Sequence, residues 1–383
     1  MRNWLLPEHI ADILPATARQ VESAKAAMLE RFRTAGYELV SPPLIEYVEA
    51  LVSTDDSALA LKTFKLDDHL SGRQLGLRAD ITPQVARIDA HLLAERTGVT
   101  RLCYAGSVVH ARPAGLMSSR EPLQVGAELY GYAGIEADLE IIGLMLASLR
   151  GAGVEGLRLD VGHIGIFRGL VQAAGLDASL AQALFDALQA KDASGIRALC
   201  ADVAEPYRSA FSALPELYGP ASVLEAARTR LPSLPEIELA LLQLGAIARA
   251  LGNEVELCFD LAELRSGFYH TGLVFTAYAP GWSDAIARGG RYDNVGRRFG
   301  RARPATGFSL DLRDLIRILP EREATRGIRV AQRLLPDAKG EIERLRGRGE
   351  VVVLDYLGES AEALGCDREL VAEAGAWRVV PFQ

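Results

Sequence analysis

Along Glu121–Gly131 the residues alternate: Leu123, Val125, Ala127 and Leu129 fall on one side of an extended chain, and Gln124, Gly126, Glu128 and Tyr130 fall on the other. A strand with one wholly apolar face must bury that face in a core. Its second face sets an amide and a carboxylate on either side of a glycine, whose missing side chain leaves room for something to approach the sheet. From these residues alone two readings stand: a cradle for a small zwitterion, or a half-solvated sheet face with a structural glycine.

Three other segments carry polar residues in suggestive order. In Leu77-Arg78-Ala79-Asp80-Ile81-Thr82-Pro83 a carboxylate and a hydroxyl precede a proline suited to the first turn of a helix, with Thr82 as the expected N-cap. Asp80 is then either a neighbour of the cap or the partner of an ammonium group. In Leu264-Arg265-Ser266-Gly267-Phe268-Tyr269-His270-Thr271-Gly272 two glycines beside Arg265, Tyr269 and His270 point to backbone packed closely against something. The run Arg288-Gly289-Gly290-Arg291-Tyr292-Asp293 looks like a phosphate loop but has neither of the glycine spacings that such loops need.

The rest of the chain supplies a frame for these segments. Val21, Ala24, Met28 and Phe32 recur at helical spacing after Pro15 and Thr17, with Gly36 where a left-handed cap would end the helix. Strand character follows at 37–40, 74–78, 101–110 and 123–130, with helices starting near Pro83 and covering 138–149. Residues 165–252 are rich in Ala and Leu, broken by Gly175, Pro206, Pro215 and Pro232, and read as a helical insertion. Strand signals resume at 255–260 and 271–278, and an amphipathic segment, 309–319, closes a core domain of residues 1–320. The short apolar runs of 321–383 predict a small α/β domain. Strands joined by loops, with helices irregularly interspersed, predict an α+β fold with an antiparallel sheet flanked by helices.

Composition narrows the function classes. The chain has 383 residues, 49% of them hydrophobic, and a net charge of −8, which offers no basic face for nucleic acid. Cys103, Cys200, Cys258 and Cys366 lie far apart, and His9, His69, His91, His110, His163 and His270 form no close pair, so neither a metal site nor a cofactor is expected. The sequence has no apolar run of membrane-spanning length and no leader-like start, which predicts a cytoplasmic protein without membrane contact.

Taken in order, these segments resemble the catalytic core of histidyl-tRNA synthetase, a class II aminoacyl-tRNA synthetase, over roughly residues 5–320. Gly36–Pro43 is similar to the family's first motif, Leu77–Thr82 to its LRPEGT segment, and Gln124–Glu128 to the end of its second motif. Arg265–Gly272 and Gly289–Asp293 are similar to its two histidine-specific segments. The resemblance implies that Asp80, Thr82 and Gln124 hold the α-ammonium group of histidine, that Glu128 meets the imidazole, and that Arg265 approaches the carboxylate. Tyr269 and His270 complete this histidine site, His270 standing where the family has a tyrosine.

The same resemblance fails where ATP would be activated. At the second motif, Gly106–Arg112 has Val109, His110 and Ala111 where the family has phenylalanine, arginine and an acid; at the third, Asp314 stands where an arginine belongs, and a carboxylate repels a triphosphate. Arg313 is adjacent, but about 100° away around a helix. Residues 321–383 are also too short for the family's complete anticodon-binding domain. A synthetase-like chain with a histidine pocket and neither of those functions resembles the regulatory subunits of ATP phosphoribosyltransferase. That implies no catalytic residues and a homodimer within a hetero-oligomer formed with a short-form catalytic subunit. It also implies free histidine as the feedback effector of the first step of histidine biosynthesis. The competing readings are a divergent histidyl-tRNA synthetase and a stand-alone histidine- or RNA-binding relative.

Overall fold

The computed structural model describes residues 5–52, 57–113, 115, 118–264, 270–320, 326–373 and 375–382, and of residues 57–58 the backbone alone. Two compact units divide the chain, Met1–Leu319 and Pro320–Gln383.

The first unit opens with α1 (Pro15–Thr34), in which Pro15 fills a first-turn position that needs no N–H. Its buried residues are Val21, Ala24, Met28 and Phe32, the stripe expected from their spacing, and Phe32 meets Phe308 edge-on with ring centroids 5.9 Å apart. Gly36, at φ +85°, ends the helix: its N–H reaches the Arg33 carbonyl, and that of Tyr37 reaches Phe32. Next come β1 (Glu38–Leu39), β2 (Ile45–Tyr47), α2 (Val48–Leu51), α3 (Ser57–Lys62), β3 (Phe64–Asp67) and β4 (Gln74–Leu77). After α4 (Thr82–Arg87), which continues into a π-helical turn at Ile88–Leu92, the chain forms β5 (Thr100–Ser107), β6 (Leu123–Tyr130), α5 (Ile135–Ala152) and β7 (Arg158–His163).

The Ala- and Leu-rich block then forms α6 (Ile164–Ala173), α7 (Ala178–Gln189), α8 (Ala193–Leu199), α9 (Tyr207–Ala213), β8 (Tyr218–Gly219), α10 (Val223–Arg230) and α11 (Pro235–Leu251). The unit closes with β9 (Glu256–Asp260), β10 (Leu273–Tyr278), β11 (Ala287–Arg291), β12 (Ala305–Asp311) and α12 (Leu312–Ile318).

A nine-stranded sheet runs in the order β1-β5-β6-β12-β11-β10-β7-β9-β8. It is antiparallel except where β1 joins β5 and β7 joins β9. The second exception explains the helical block: two adjacent parallel strands need a long crossover, and residues 164–251 supply it. The block is not purely helical, because Tyr218–Gly219 pairs with the edge strand β9.

One sheet face packs against α1, α5 and the helical block in a continuous core that includes Val125, Ala127, Leu129, Phe167 and Phe211. The opposite face carries a second core of Ile81, Val85, Leu102, Tyr104, Val108, Tyr130 and Tyr292. The strict alternation of β6 therefore divides two cores.

Two segments differ from what their patterns suggest. Ser309–Asp311 continues β12 instead of opening a helix; the helix waits for Asp311, whose carboxylate accepts the Arg313 N–H at 2.9 Å. The glycine-rich run at 288–291 is β11, a central strand, despite its lack of β-branched residues.

In the second unit β13 (Gly327–Ala331), α13 (Leu335–Gly347), β14 (Val352–Asp355), β15 (Cys366–Glu373) and β16 (Ala376–Pro381) form a four-stranded sheet, β14-β13-β15-β16, with one helix. Ala338, Ile342 and Leu345 of α13 pack on Ile328, Val330, Val352 and Leu370. The buried Asp355 takes the Arg329 guanidinium at 2.6 Å and accepts N–H groups from Leu357, Gly358 and Glu359.

Candidate histidine site

Pairing register builds the site. Glu128 lies opposite Leu102 on one side and Gly307 on the other, Gly307 opposite Gly290, and Gly290 opposite Val274. Glu128 thus faces a row of glycines across the second sheet face. These glycines are not vacant ground. A Cβ at Gly126 would stand 2.5 Å from the Tyr104 hydroxyl, one at Gly307 would collide with the Glu128 carboxyl, and one at Gly290 would lie 2.8 Å from the His270 Nε2. The space at Gly126, expected to admit a ligand, is occupied by Tyr104. Gly307 and Gly290 let Glu128 and His270 lie down across the sheet.

Glu128 is 1% exposed. Its Oε1 accepts the Tyr104 hydroxyl at 3.0 Å, and its Oε2 accepts that of Tyr292. Tyr292 also lies 3.3 Å from the Tyr130 hydroxyl. Burial, aided by the nearby Asp80 charge and opposed by the phenol donors, pushes the Glu128 carboxyl up to about 8. The same burial, with Glu128 adjacent, holds the Tyr104 and Tyr130 phenols well above their ordinary range.

Asp80 joins this cluster through hydrogen bonds. Its Oδ1 accepts the Thr82 N–H at 3.0 Å and the Gln124 Nε2 at 2.8 Å, while the Gln124 Oε1 accepts the Ile81 N–H at 2.8 Å. The Gln124 amide thus holds Asp80 with its nitrogen and the backbone next to it, at Ile81, with its oxygen. Among the described residues no hydrogen bond reaches Asp80 Oδ2, and the residue is part-exposed. Thr82 is not the helix cap: Ile81 takes that position without a side-chain bond, and the Thr82 hydroxyl lies 3.1 Å from that of Tyr104. An Asx turn at Asp80 replaces the expected cap and links Asp80 to Glu128 through Thr82 and Tyr104.

The structure thus brings together Asp80, Thr82, Gln124 and Glu128, and places His270 against Gly290 in the same cross-strand row. Arg265 and Tyr269 lie outside the described residues. Tyr104, Tyr130 and Tyr292 carry no role in the sequence reading, although Tyr130 falls on the polar face of β6 by simple alternation. Arg291, from the segment read as histidine-specific, serves the fold instead. It donates to Asp138 Oδ2 at 2.8 and 3.1 Å and to the carbonyls of Tyr132 and Gly134 at 3.2 and 3.1 Å.

At the second-motif position His110 donates from Nε2 to the Ala79 carbonyl at 3.0 Å, and burial depresses its pKa; Arg112 is exposed. At the third-motif position Asp314 contacts Arg317 at 3.3 Å, and Arg313 turns to Glu121 at 3.4 Å. Nearby Asp311 is raised to about 6 by burial and then by the Asp314 charge.

A largely antiparallel sheet with paired carboxyl groups on one face and a long helical crossover defines a class II synthetase-like chain. A family model described as Histidyl-tRNA synthetase matches residues 9–315, and one described as ATP phosphoribosyltransferase subunit HisZ C-terminal domain matches residues 325–380. The chain is 78% identical to the ATP phosphoribosyltransferase regulatory subunit of Chromobacterium violaceum, covering 100% of both chains. It is 66% identical to that of Laribacter hongkongensis, covering 97% of this chain and 96% of the relative. A crystal structure described as an ATP phosphoribosyltransferase regulatory subunit/histidyl-tRNA synthetase from Bacillus halodurans superimposes with a TM-score of 0.83 at 28% identity, over 94% of each chain. Histidyl-tRNA synthetase from Nostoc sp. shares the fold, with a TM-score of 0.80 at 17% identity over 100% of this chain and 97% of its own. The chain belongs to the family of ATP phosphoribosyltransferase regulatory subunits.

Proposed function

We propose that this chain is the non-catalytic, histidine-sensing subunit of a cytoplasmic ATP phosphoribosyltransferase, joined to a short-form catalytic subunit. The complex condenses ATP with phosphoribosyl pyrophosphate. Full-length identity to a relative named as the regulatory subunit carries the assignment of role. The pocket supports histidine as the effector. Asp80 Oδ2 is suited to an ammonium group, and the buried Glu128 is suited to an imidazole N–H. Arg265 would take the effector's carboxylate, with Tyr269 and His270 beside the ring.

A non-catalytic role is supported by the charges around the former triphosphate site. Asp314 and Asp311 carry the wrong sign, and Arg313 is engaged by Glu121. Histidine would act by linkage: the inhibited state of the complex binds it more tightly, with a coupling of about 1–3 kcal/mol. Equilibrium binding of labelled histidine to the purified chain tests the pocket. Asp80→Ala and Glu128→Ala should each weaken binding at least tenfold while the chain still assembles with the catalytic subunit. Unchanged affinity in both would remove this pocket from the account.

A homodimer within the larger complex has a surface to form on. In the small sheet β2-β4-β3, Ile45, Leu77 and Phe64 share one cross-strand row and Tyr47, Leu75 and Leu66 the next, all on one face. Ile45 and Leu66 are each 45% exposed, more than solvent-facing strands usually leave to large apolar residues. Leu66→Glu should convert the dimer to monomer in sedimentation; a dimer of unaltered affinity would rule this face out.

A further inference from the structure

We propose that the site recognises its effector as a base: Glu128 is a neutral carboxylic acid in the free protein and gives its proton to the imidazole of bound histidine. The inference rests on the reading that histidine occupies the Asp80–Glu128 site. The Glu128 O–H bond breaks, an N–H bond forms on the facing ring nitrogen, and the complex holds a carboxylate against an imidazolium. While Glu128 is protonated in the free protein, no proton is exchanged with solvent.

The geometry makes the case. Glu128 is surrounded by Tyr104 from β5, Asp80 from the turn before α4, Thr82 from the start of α4, Tyr130 from its own strand, Tyr292 from just after β11, and the bare backbone of Gly307 from β12. None of these groups is a cation, and the nearest charge, Asp80, has the same sign. A carboxylate this buried without a counter-charge takes up a proton instead. Both oxygens nonetheless receive phenol donors, an arrangement suited to the anion and lacking only a positive partner.

Histidine supplies that partner twice over. Its α-ammonium group against Asp80 neutralises the charge that disfavours ionised Glu128, and its imidazole accepts the proton that Glu128 then releases. Each carboxylate of the site thus meets one cationic group of the bound histidine, and neither is left without a partner. The corollary is a specificity rule: shape is insufficient, and the ring must be basic. A triazole analogue of histidine, of nearly the same shape but weakly basic, should bind at least tenfold more weakly.

The test uses the full-length chain with ring-¹⁵N histidine and calorimetry in two buffers of different ionisation enthalpy. At pH ~7.5, above the ~6.5 at which an imidazole ordinarily titrates, the bound ring should show imidazolium nitrogen shifts. Net proton uptake relative to Glu128→Gln should be near zero at pH ~7 and rise toward one above pH ~8, where Glu128 is already ionised in the free protein. A neutral bound ring, or equal affinity for the triazole, overturns the proposal. Should Glu128→Gln not fold, Tyr292→Phe keeps the carboxyl and removes one donor to the anion, so the rise in uptake should move to higher pH; an unmoved rise counts against the proposal. Wild-type affinity in Glu128→Gln would instead show that histidine sits elsewhere, which defeats the site reading itself.

Discussion

Arg291 offers a sharp separation of architecture from binding. Its side chain is 6% exposed and that of Asp138 1%, with the two 2.8 Å apart. Burial raises the Asp138 pKa even against the Arg291 charge, so the pair is held together at a cost in desolvation. Replacing Arg291 by Met leaves the carboxylate without a counter-ion and removes the donors to the Tyr132 and Gly134 carbonyls. Stranding one member of a buried pair costs about 3–5 kcal/mol. For a unit of this size that is a fall of roughly 4–8 °C in the melting midpoint.

The orphaned Asp138 can escape part of the penalty by taking a proton, so the loss should be larger at pH ~8 than at pH ~5. Arg291→Met with Asp138→Leu should recover much of it, because both charges are then gone. Urea denaturation of the wild type, the single variant and the double variant at the two pH values reads all of this. A loss below about 1 kcal/mol, or a loss of histidine affinity at unchanged stability, would refute the reasoning and give Arg291 a binding role.

Other outcomes follow from the same geometry. Gly307→Ala drives a methyl group into the Glu128 carboxyl and should abolish histidine binding or folding, whereas Gly340→Ala, where the added methyl meets nothing within 4 Å, should be silent in the same binding assay. His163 donates from Nε2 to Gln243 Oε1 at 2.7 Å, accepts the Gly165 N–H on Nδ1, and is held at about 4 by burial. Its folded pKa lies below the unfolded value of about 6.5, so its contribution is intact above pH ~6.5 and is lost as pH falls toward 4, up to about 3 kcal/mol. His163→Asn should flatten that limb of the stability profile. Glu128 has the opposite sign: its folded pKa is raised, so stability is lost as pH rises from about 4 to about 8, and Glu128→Gln should stabilise the unliganded protein at pH ~8 in thermal melts. In the second unit, Asp355→Ala removes the Arg329 partner and three N–H acceptors, and should unfold that sheet first, as seen by hydrogen exchange.

Much of the fold was legible where period and burial coincide. The α1 stripe and the two faces of β6 could be read because each has one face in a continuous core. β11 could not, since Ala287-Arg288-Gly289-Gly290-Arg291 has no strand former. It is a strand because its neighbours need it: Phe275 fills the space at Gly289, His270 that at Gly290, and Arg291 reaches into α5. β7 was missed for a related reason, its apolar residues Leu159 and Val161 being too few to show a period.

In the site, residue types at Asp80, Gln124 and Glu128 were visible, but their couplings were not. That Gln124 is spent on Asp80, and that Tyr104 and Tyr292 hold Glu128, depends on contacts between segments 24 to 164 residues apart. A local pattern carries no trace of such contacts.

The central claim is that this chain makes a separate catalytic subunit responsive to histidine. Turnover of ATP and phosphoribosyl pyrophosphate by a short-form catalytic subunit from the same source, with and without this chain across a histidine titration, tests it most directly. The account predicts that adding the chain raises turnover and that histidine abolishes the gain, with Glu128→Ala shifting the inhibition to higher histidine. Turnover indifferent to the chain at every histidine concentration would contradict it.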